Sequence, residues 1–220
     1  MKLYNLCILV TSAVAHSWVE KAILSAQELT GLVGFPRGNV PRESSLFSDD
    51  AMTNLLLPSV RKHNVLEESD LICKDTQSTY NYTNGSPALQ NGHVTKLHST
   101  PNKASSGLIS VYGTANPQPS DTLRGVQEHG QLLSRAPFDD GTCYQINNTP
   151  ESVRRRGLPQ RRHWAFEGAD LWCTIAVHLP SDLRKGSTYT LYWVWDWPSS
   201  EGGHHMRTEI YTTCLDILVE

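Results

Sequence analysis

The amino-acid sequence predicts an all-β protein built as a β-sandwich. Its apolar residues fall into many short segments of strand length, and turn-forming residues separate these segments. No segment has the long amphipathic pattern of a helical bundle, and we find no internal repeat. Short strands with frequent turns are typical of two packed antiparallel sheets, so we expect that architecture here.

The N-terminal segment from Met1 to Ala15 has the pattern of a secretory signal peptide. Lys2 supplies the positive charge, Leu6 to Val10 the apolar run, and Ala13-x-Ala15 the small residues of a cleavage site. No apolar run reaches the ~20 residues of a membrane-spanning helix. We therefore expect a secreted, extracellular protein whose mature chain begins at His16 and whose residues 16–220 form a single domain.

Two strands and a short helix are predicted in the first half of the mature chain. A strand follows His16 and gives way to an irregular loop. Asp49 to Leu57 fits a short helix, because a proline follows it directly. The polar segment Ser78 to Gly92 is predicted to be a loop, and Leu108 to Gly113 is predicted to be a strand that ends in glycine.

Four strands are predicted in the second half, at Thr142–Ile146, Trp172–Pro180, Tyr189–Trp197 and Glu209–Val219. In the third of these, large residues alternate with period two and therefore share one face. These residues are Tyr189, Leu191, Trp193, Trp195 and Trp197. Such a stripe could stack on sugar rings, but a packed core strand is the favoured interpretation.

The composition of the mature chain restricts its partners and its redox compartment. Loss of Lys2 would leave 18 basic and 22 acidic residues, which argues against nucleic acid as the main partner. Four widely spaced cysteines in an exported chain predict two disulfides, with three possible connectivities. The cysteines are Cys73, Cys143, Cys173 and Cys214, and the glycosylation sequons begin at Asn81, Asn84 and Asn147.

Cleavage after Ala15 would give His16 a chemistry that an internal histidine lacks. A terminal histidine offers two nitrogen donors to one metal, its ring and its α-amine, whose free pKa is near ~7.7. One further imidazole would complete three nitrogens in a T, an arrangement that suits Cu(II). Alternatively, His16 is only the residue that happens to follow the cleavage site.

The sequence has no nucleophile elbow, P-loop or His-Glu-x-x-His helix. It does contain a series of segments in a fixed order after His16. These are His16-Ser-Trp-Val-Glu20, Gly34-Phe-Pro-Arg-Gly38, Asn91-Gly-His-Val-Thr95, Phe138-Asp-Asp-Gly-Thr-Cys-Tyr-Gln145, Gly168-Ala-Asp-Leu-Trp-Cys173, Tyr189-Thr-Leu-Tyr-Trp-Val-Trp-Asp-Trp-Pro198 and Glu209-Ile-Tyr-Thr-Thr-Cys214. Together they resemble fungal lytic polysaccharide monooxygenases and their copper-binding relatives, whose fold is an immunoglobulin-like or fibronectin-like β-sandwich with long loops.

The resemblance implies a single copper ion, cycling between Cu(II) and Cu(I), in a histidine brace. The amine and ring of His16 and the ring of His93 would bind it, with His98 as the alternative second histidine. Tyr211 would face the axial position of copper. Glu209, two residues earlier on the same strand face, would hydrogen-bond an oxygen species. The same resemblance implies disulfides between Cys73 and Cys214 and between Cys143 and Cys173.

The activity implied by this resemblance is oxidative cleavage of glycosidic bonds in a cell-wall polysaccharide such as chitin, cellulose or another glucan. An external electron donor would reduce the copper, and the protein would act as a monomer away from membranes. Two alternatives remain open at this stage. One is a non-catalytic copper-binding protein of the same fold, for copper uptake or the cell wall, and the other is a secreted carbohydrate-binding protein.

The chain differs from these relatives at the junction between Gln90 and Asn91. In the relatives, a strand-like segment with a Pro-Gly turn separates the Pro87-Ala-Leu-Gln90 element from Asn-Gly-His. Here Gln90 is followed directly by Asn91. We therefore expect a sandwich that lacks one strand.

Overall fold

The structure, a computed structural model, describes residues 17–23, 33–41, 44–56, 66–77, 88–92, 107–138, 173–198 and 209–219. Its strands form two antiparallel sheets, so the predicted all-β, sandwich-like fold is confirmed. The smaller sheet contains, in spatial order, β2 (Val33–Gly34), β1 (Ser17–Ile23), β4 (Ala88–Gly92) and β7 (Cys173–Thr174). The larger sheet contains β3 (Asn54–Leu56), β9 (Glu209–Leu218), β8 (Thr188–Trp197), β5 (Leu108–Thr114) and β6 (Gln131–Pro137).

The main core lies between the two sheets and is built around β8. The predicted stripe from Tyr189 to Trp197 is buried there together with Val19 and Ala22 of β1. Because a strand turns alternate side chains to opposite faces, one run of aromatic and aliphatic residues fills this layer. The stripe is therefore a core feature and does not present its rings to a sugar.

A second apolar layer covers the opposite face of the larger sheet. The intervening residues of β8, Tyr192 and Val194, pack there against Leu123 and Ile72. Leu123 begins the helix α2 (Leu123–His129), which the Thr122 side chain caps by accepting a hydrogen bond from the Gly125 N–H. Neither α2 nor β6, which follow β5 in the chain, was predicted from the sequence.

Two predicted elements, one helix and one strand, are longer than the elements found. The helix predicted for Asp49 to Leu57 is only α1 (Asp49–Met52), because Asn54–Leu56 pairs with β9 as strand β3. The strand predicted for Trp172 to Pro180 is reduced to the two residues of β7 within 173–180. Beyond it, Val177 and Leu179 pack against the core without joining a ladder.

The loop predicted for Ser78 to Gly92 is wrong at its end, because Ala88–Gly92 forms β4. Hydrogen bonding from β1 on one side and β7 on the other outweighs the polar composition of the segment. The Gln90–Asn91 junction, where the resemblance implies a missing strand, lies inside β4. The strands predicted after His16 and at Leu108, Tyr189 and Glu209 are found, whereas Thr142–Ile146 lies outside the described residues.

A buried ion pair joins the first loop to β9. The Arg37 guanidinium binds the Asp216 carboxylate through Nε–Oδ2 at 2.7 Å and Nη2–Oδ1 at 2.6 Å, with side chains 4% and 3% exposed. Arg37 Nη2 also donates to Thr190 Oγ1 at 3.2 Å, and the Arg37 N–H donates to the Cys214 carbonyl at 2.9 Å. A paired, hydrogen-bonded charge of this kind tolerates burial.

None of the helices in the described part of the chain is long and apolar enough to cross a membrane.

Replacing Arg37 by methionine should lower the free energy of unfolding by about 3–5 kcal/mol, because the Asp216 carboxylate would stay buried without its partner. Arg124→Met is the matched control: it removes an exposed ion pair with Glu68 and should cost less than about 1 kcal/mol. Urea unfolding followed by tryptophan fluorescence measures both values. Equally small losses in the two variants would contradict this role of the buried pair.

Candidate metal centre

The pairing of β1 with β4 brings together the two chain segments that the resemblance implies for copper. Ser17 lies opposite Gly92, Trp18 opposite Asn91 and Val19 opposite Gln90. His16 and His93 lie outside the described residues, but each is joined by one peptide bond to a member of the Ser17–Gly92 pair. Each predicted ligand is therefore adjacent in sequence to one member of a pair of residues, Ser17 and Gly92, that face each other across two strands.

A direct contact across the sandwich ties β1 to β9. The Val19 N–H donates to Thr213 Oγ1 at 3.2 Å, in a bond that is buried. Beyond Val19 the register shifts, so that Lys21 rather than Glu20 faces Leu89. This shift is a β-bulge, which lets one strand bend away from regular pairing.

Tyr211 and Glu209 lie on the same face of β9, as predicted, and they contact each other. The Tyr211 hydroxyl donates a hydrogen bond to Glu209 Oε2. The Tyr211 ring is fully buried and stacks on Trp195, with ring centroids 4.9 Å apart and planes at 23°. Trp195 in turn stacks on Trp197 at 5.0 Å. Packing on one side and a hydrogen bond at the hydroxyl therefore fix the orientation of the phenol.

The environment of Tyr211 keeps its hydroxyl protonated. Burial raises the pKa of Tyr211 above its ordinary value, and the nearby Glu209 carboxylate raises it further, both by its charge and by accepting the hydrogen bond. The phenol is therefore neutral at neutral pH and acts as a hydrogen-bond donor. A neutral phenol is a weak metal ligand, so the strong donors of any copper site here would be nitrogens.

The back of β9 is held by a disulfide. Cys73 and Cys214 are bonded with their Cα atoms 5.6 Å apart, which is the pairing that the resemblance implies. Arg37 lies against this bridge, with Nη1 3.8 Å from Cys73 Sγ. The disulfide therefore fixes one face of β9, and the packing of Tyr211 fixes the opposite face.

Several predicted sites fall outside the described residues and are neither supported nor contradicted. They are the signal peptide, His16, His93, His98, Cys143 with its bridge to Cys173, and Asn81, Asn84 and Asn147. Among the described residues, no group of three or more His, Cys, Asp or Glu side chains could hold a metal ion.

Sequence reasoning missed two residues that organise this region. Arg37 stands within the Gly34-Phe-Pro-Arg-Gly38 element, but its buried partner Asp216 is 179 residues away. Thr213 reads as an ordinary strand residue, although it accepts a bond from a residue 194 positions earlier. A charged residue within an apolar loop could have indicated that Arg37 is buried with a partner. No local feature of the sequence indicated the contact of Thr213 with β1.

Residues 13–220 match the family described as "Domain of unknown function (DUF7492)". The chain belongs to this family. The match begins three residues before His16 and includes β1, β4 and β9. No curated protein and no solved structure matches the chain. Family membership therefore covers the whole candidate site without naming an activity for it.

The free energy of unfolding should fall as the pH rises above ~10, because the unfolded chain then loses the tyrosine proton that the folded chain retains. Tyr211→Phe has no such proton to lose. Its free energy of unfolding should therefore fall less steeply with pH, by about 1.4 kcal/mol per pH unit. Urea unfolding at a series of alkaline pH values measures both slopes. Identical slopes would show that the Tyr211 phenol is not protected by burial and Glu209.

Proposed function

We propose that this protein is a secreted, copper-dependent polysaccharide monooxygenase. In this proposal, the amine and ring of His16 and the ring of His93 bind one copper ion. Tyr211 and Glu209 border the ion from β9. The substrate class is a cell-wall polysaccharide, and an external donor supplies electrons.

The pairing of Ser17 with Gly92 is the observation that carries the proposal. Facing Cα atoms of antiparallel strands are ~4.5–5.5 Å apart, and consecutive Cα atoms ~3.8 Å apart. The Cα atoms of His16 and His93 can therefore be at most about 13 Å apart, whatever path the chain takes after the pair. Two imidazole side chains with a metal ion between them can span such a distance. The Gln90–Asn91 junction does not prevent this approach, because β4 runs through it.

The described part of β9 fits the chemistry of such a site. The amine and ring of His16 and the ring of His93 would hold the ion, because such nitrogen donors suit copper. The neutral Tyr211 phenol would then close one side without competing as a phenolate. Glu209 is partly buried, and its carboxylate accepts the phenolic hydrogen bond at the start of β9.

The Cys73–Cys214 disulfide gives further support. The resemblance implied this pairing among three possible connectivities, and the bridge lies three residues from Tyr211 on the same strand. The agreement at Cys214 supports the roles that the resemblance implies for Tyr211 and Glu209, because all three residues belong to one segment.

Bound copper would supply one-electron redox chemistry toward O₂ or H₂O₂, which no amino-acid side chain provides. The residues of the chain would do the remaining work. His16 and His93 would hold the ion, Tyr211 would exclude water from one side, and Glu209 would keep the Tyr211 hydroxyl oriented. Hydrogen-bond partners of this kind commonly fix ligand orientation at metal sites.

The mature secreted protein should begin at His16 and bind one Cu(II) tightly. N-terminal sequencing checks the first statement, and calorimetric titration checks the second. His16→Ala and His93→Ala should each abolish tight binding, because each removes one nitrogen ligand. His178→Ala is the matched control, since His178 is an exposed histidine that belongs to no predicted site, and it should bind as the wild type does.

Retained residues ahead of His16, or the absence of tight binding by the wild type, would contradict the proposal. Unchanged binding by His93→Ala together with loss in His98→Ala would instead assign the second ligand to His98.

The copper-loaded protein, supplied with a reductant and O₂ or H₂O₂, should release oxidised oligosaccharides from chitin, cellulose or another glucan. Mass spectrometry of the soluble products measures this release, and the His16→Ala variant is the control. Tight copper binding without product from any of these polymers would contradict the enzymatic proposal and favour a copper-carrying role.

A further inference from the structure

We propose that Thr213 is a positioning residue that ties the start of β1 to β9 and thereby sets where the N-terminal copper ligands stand relative to Tyr211. The inference rests on the proposed function and adds to it a residue that would bind neither copper nor substrate.

The tie is a single buried hydrogen bond between the two sheets. The Val19 N–H donates to Thr213 Oγ1 at 3.2 Å, and neither residue has exposed surface. Most bonds of a β-strand backbone go to neighbouring strands of its own sheet. Here the acceptor is a side chain of the opposite sheet, so this bond fixes the position of β1 against β9 in addition to its position beside β4.

The two residues of this hydrogen bond each lie close in sequence to one part of the proposed site. Thr213 is two residues from Tyr211 and shares its face of β9, since side chains alternate with period two. Val19 is two residues from Ser17, the first residue of β1, and three residues from His16. Strand residues therefore connect this contact to Ser17, the sequence neighbour of His16, and to the phenol of Tyr211.

The register of β1 shows what this contact adds to the pairing with β4. The bulge between Val19 and Lys21 interrupts the pairing with β4 directly after Val19. The part of β1 that precedes the bulge pairs with β4 through Ser17, Trp18 and Val19 alone. A contact at Val19 can therefore fix this first part of the strand independently of the part that follows.

The neighbouring threonine supplies a control for buried hydrogen bonding as such. Thr212 is also fully buried, but it faces the second apolar layer, where Oγ1 donates to the Ile72 carbonyl at 2.6 Å and accepts from Asn54 Nδ2 at 2.8 Å. Replacing either threonine by valine preserves shape and strand preference and removes the buried hydrogen bonds of the hydroxyl group. When Thr212 is replaced, the Ile72 carbonyl still accepts from the Asn54 amide at 3.2 Å. Only the Thr213 replacement touches β1.

The test compares Thr213→Val, Thr212→Val and Thr213→Ser in the full mature protein. Copper affinity is measured by competition with a chelator, and exchange of the Val19 amide hydrogen is measured in the metal-free protein. Thr213→Val should weaken copper binding about tenfold, as loss of a supporting contact at a metal site commonly does. It should also speed exchange at Val19. Thr213→Ser retains the oxygen acceptor and should restore both properties.

Thr212→Val should also reduce the urea midpoint, because it removes two buried hydrogen bonds, while leaving copper affinity within twofold of the wild type. Wild-type affinity in Thr213→Val, or an equal loss of affinity in both valine variants, would overturn the inference. If Thr213→Val does not fold, the same two measurements on Thr213→Ala decide the question. A wild type that binds no copper would refute the proposed function, whereas unchanged Val19 exchange in Thr213→Val would refute the tie itself.

Discussion

The burial of β9 on both of its faces is the constraint on which the rest of the structure depends. One face, which carries Tyr211 and Leu215, closes the main core with the aromatic residues of β8. The other face carries Cys214 and Asp216, which bind Cys73 and Arg37. A strand held in this way cannot slip in register, because a shift of one residue would place the ion pair in the apolar core and Tyr211 outside it.

The candidate site follows from that constraint. Since β9 is fixed, the Tyr211 hydroxyl and the Glu209 carboxylate have defined positions at the start of the strand. β1 is then placed against β9 through Val19 and Thr213, and beside β4 through Ser17 and Gly92. Each contact is local, but together they connect the predicted N-terminus, the Asn-Gly-His element and the tyrosine strand, three segments that are distant in sequence.

The sequence predicted those parts of the fold that depend on local periodicity. The alternation from Tyr189 to Trp197 correctly indicated a core strand, because one face of β8 is buried along its whole length. The Cys73–Cys214 pairing was implied by the resemblance and not by the cysteine spacing, which left three connectivities open. β4 was missed, since its five residues are polar enough for a loop and become a strand only through neighbours on both sides.

Long-range polar contacts could not be predicted from sequence in the same way. Nothing near Arg37 indicates that its partner is Asp216, and nothing near Thr213 indicates Val19, because the folded chain alone brings these pairs together. The candidate ligands could be named from the resemblance. What the structure adds is the pairing of Ser17 with Gly92, the sequence neighbours of His16 and His93.

Electron paramagnetic resonance of Cu(II) bound to the mature protein tests the central claim most directly. A histidine brace predicts an axial signal split by three nitrogen nuclei, one of them the amine of His16. His16→Ala should lose this signal, because without the His16 ring at most two of the three nitrogens remain. A spectrum without nitrogen splitting, or one that His16→Ala leaves unchanged, would contradict the histidine brace.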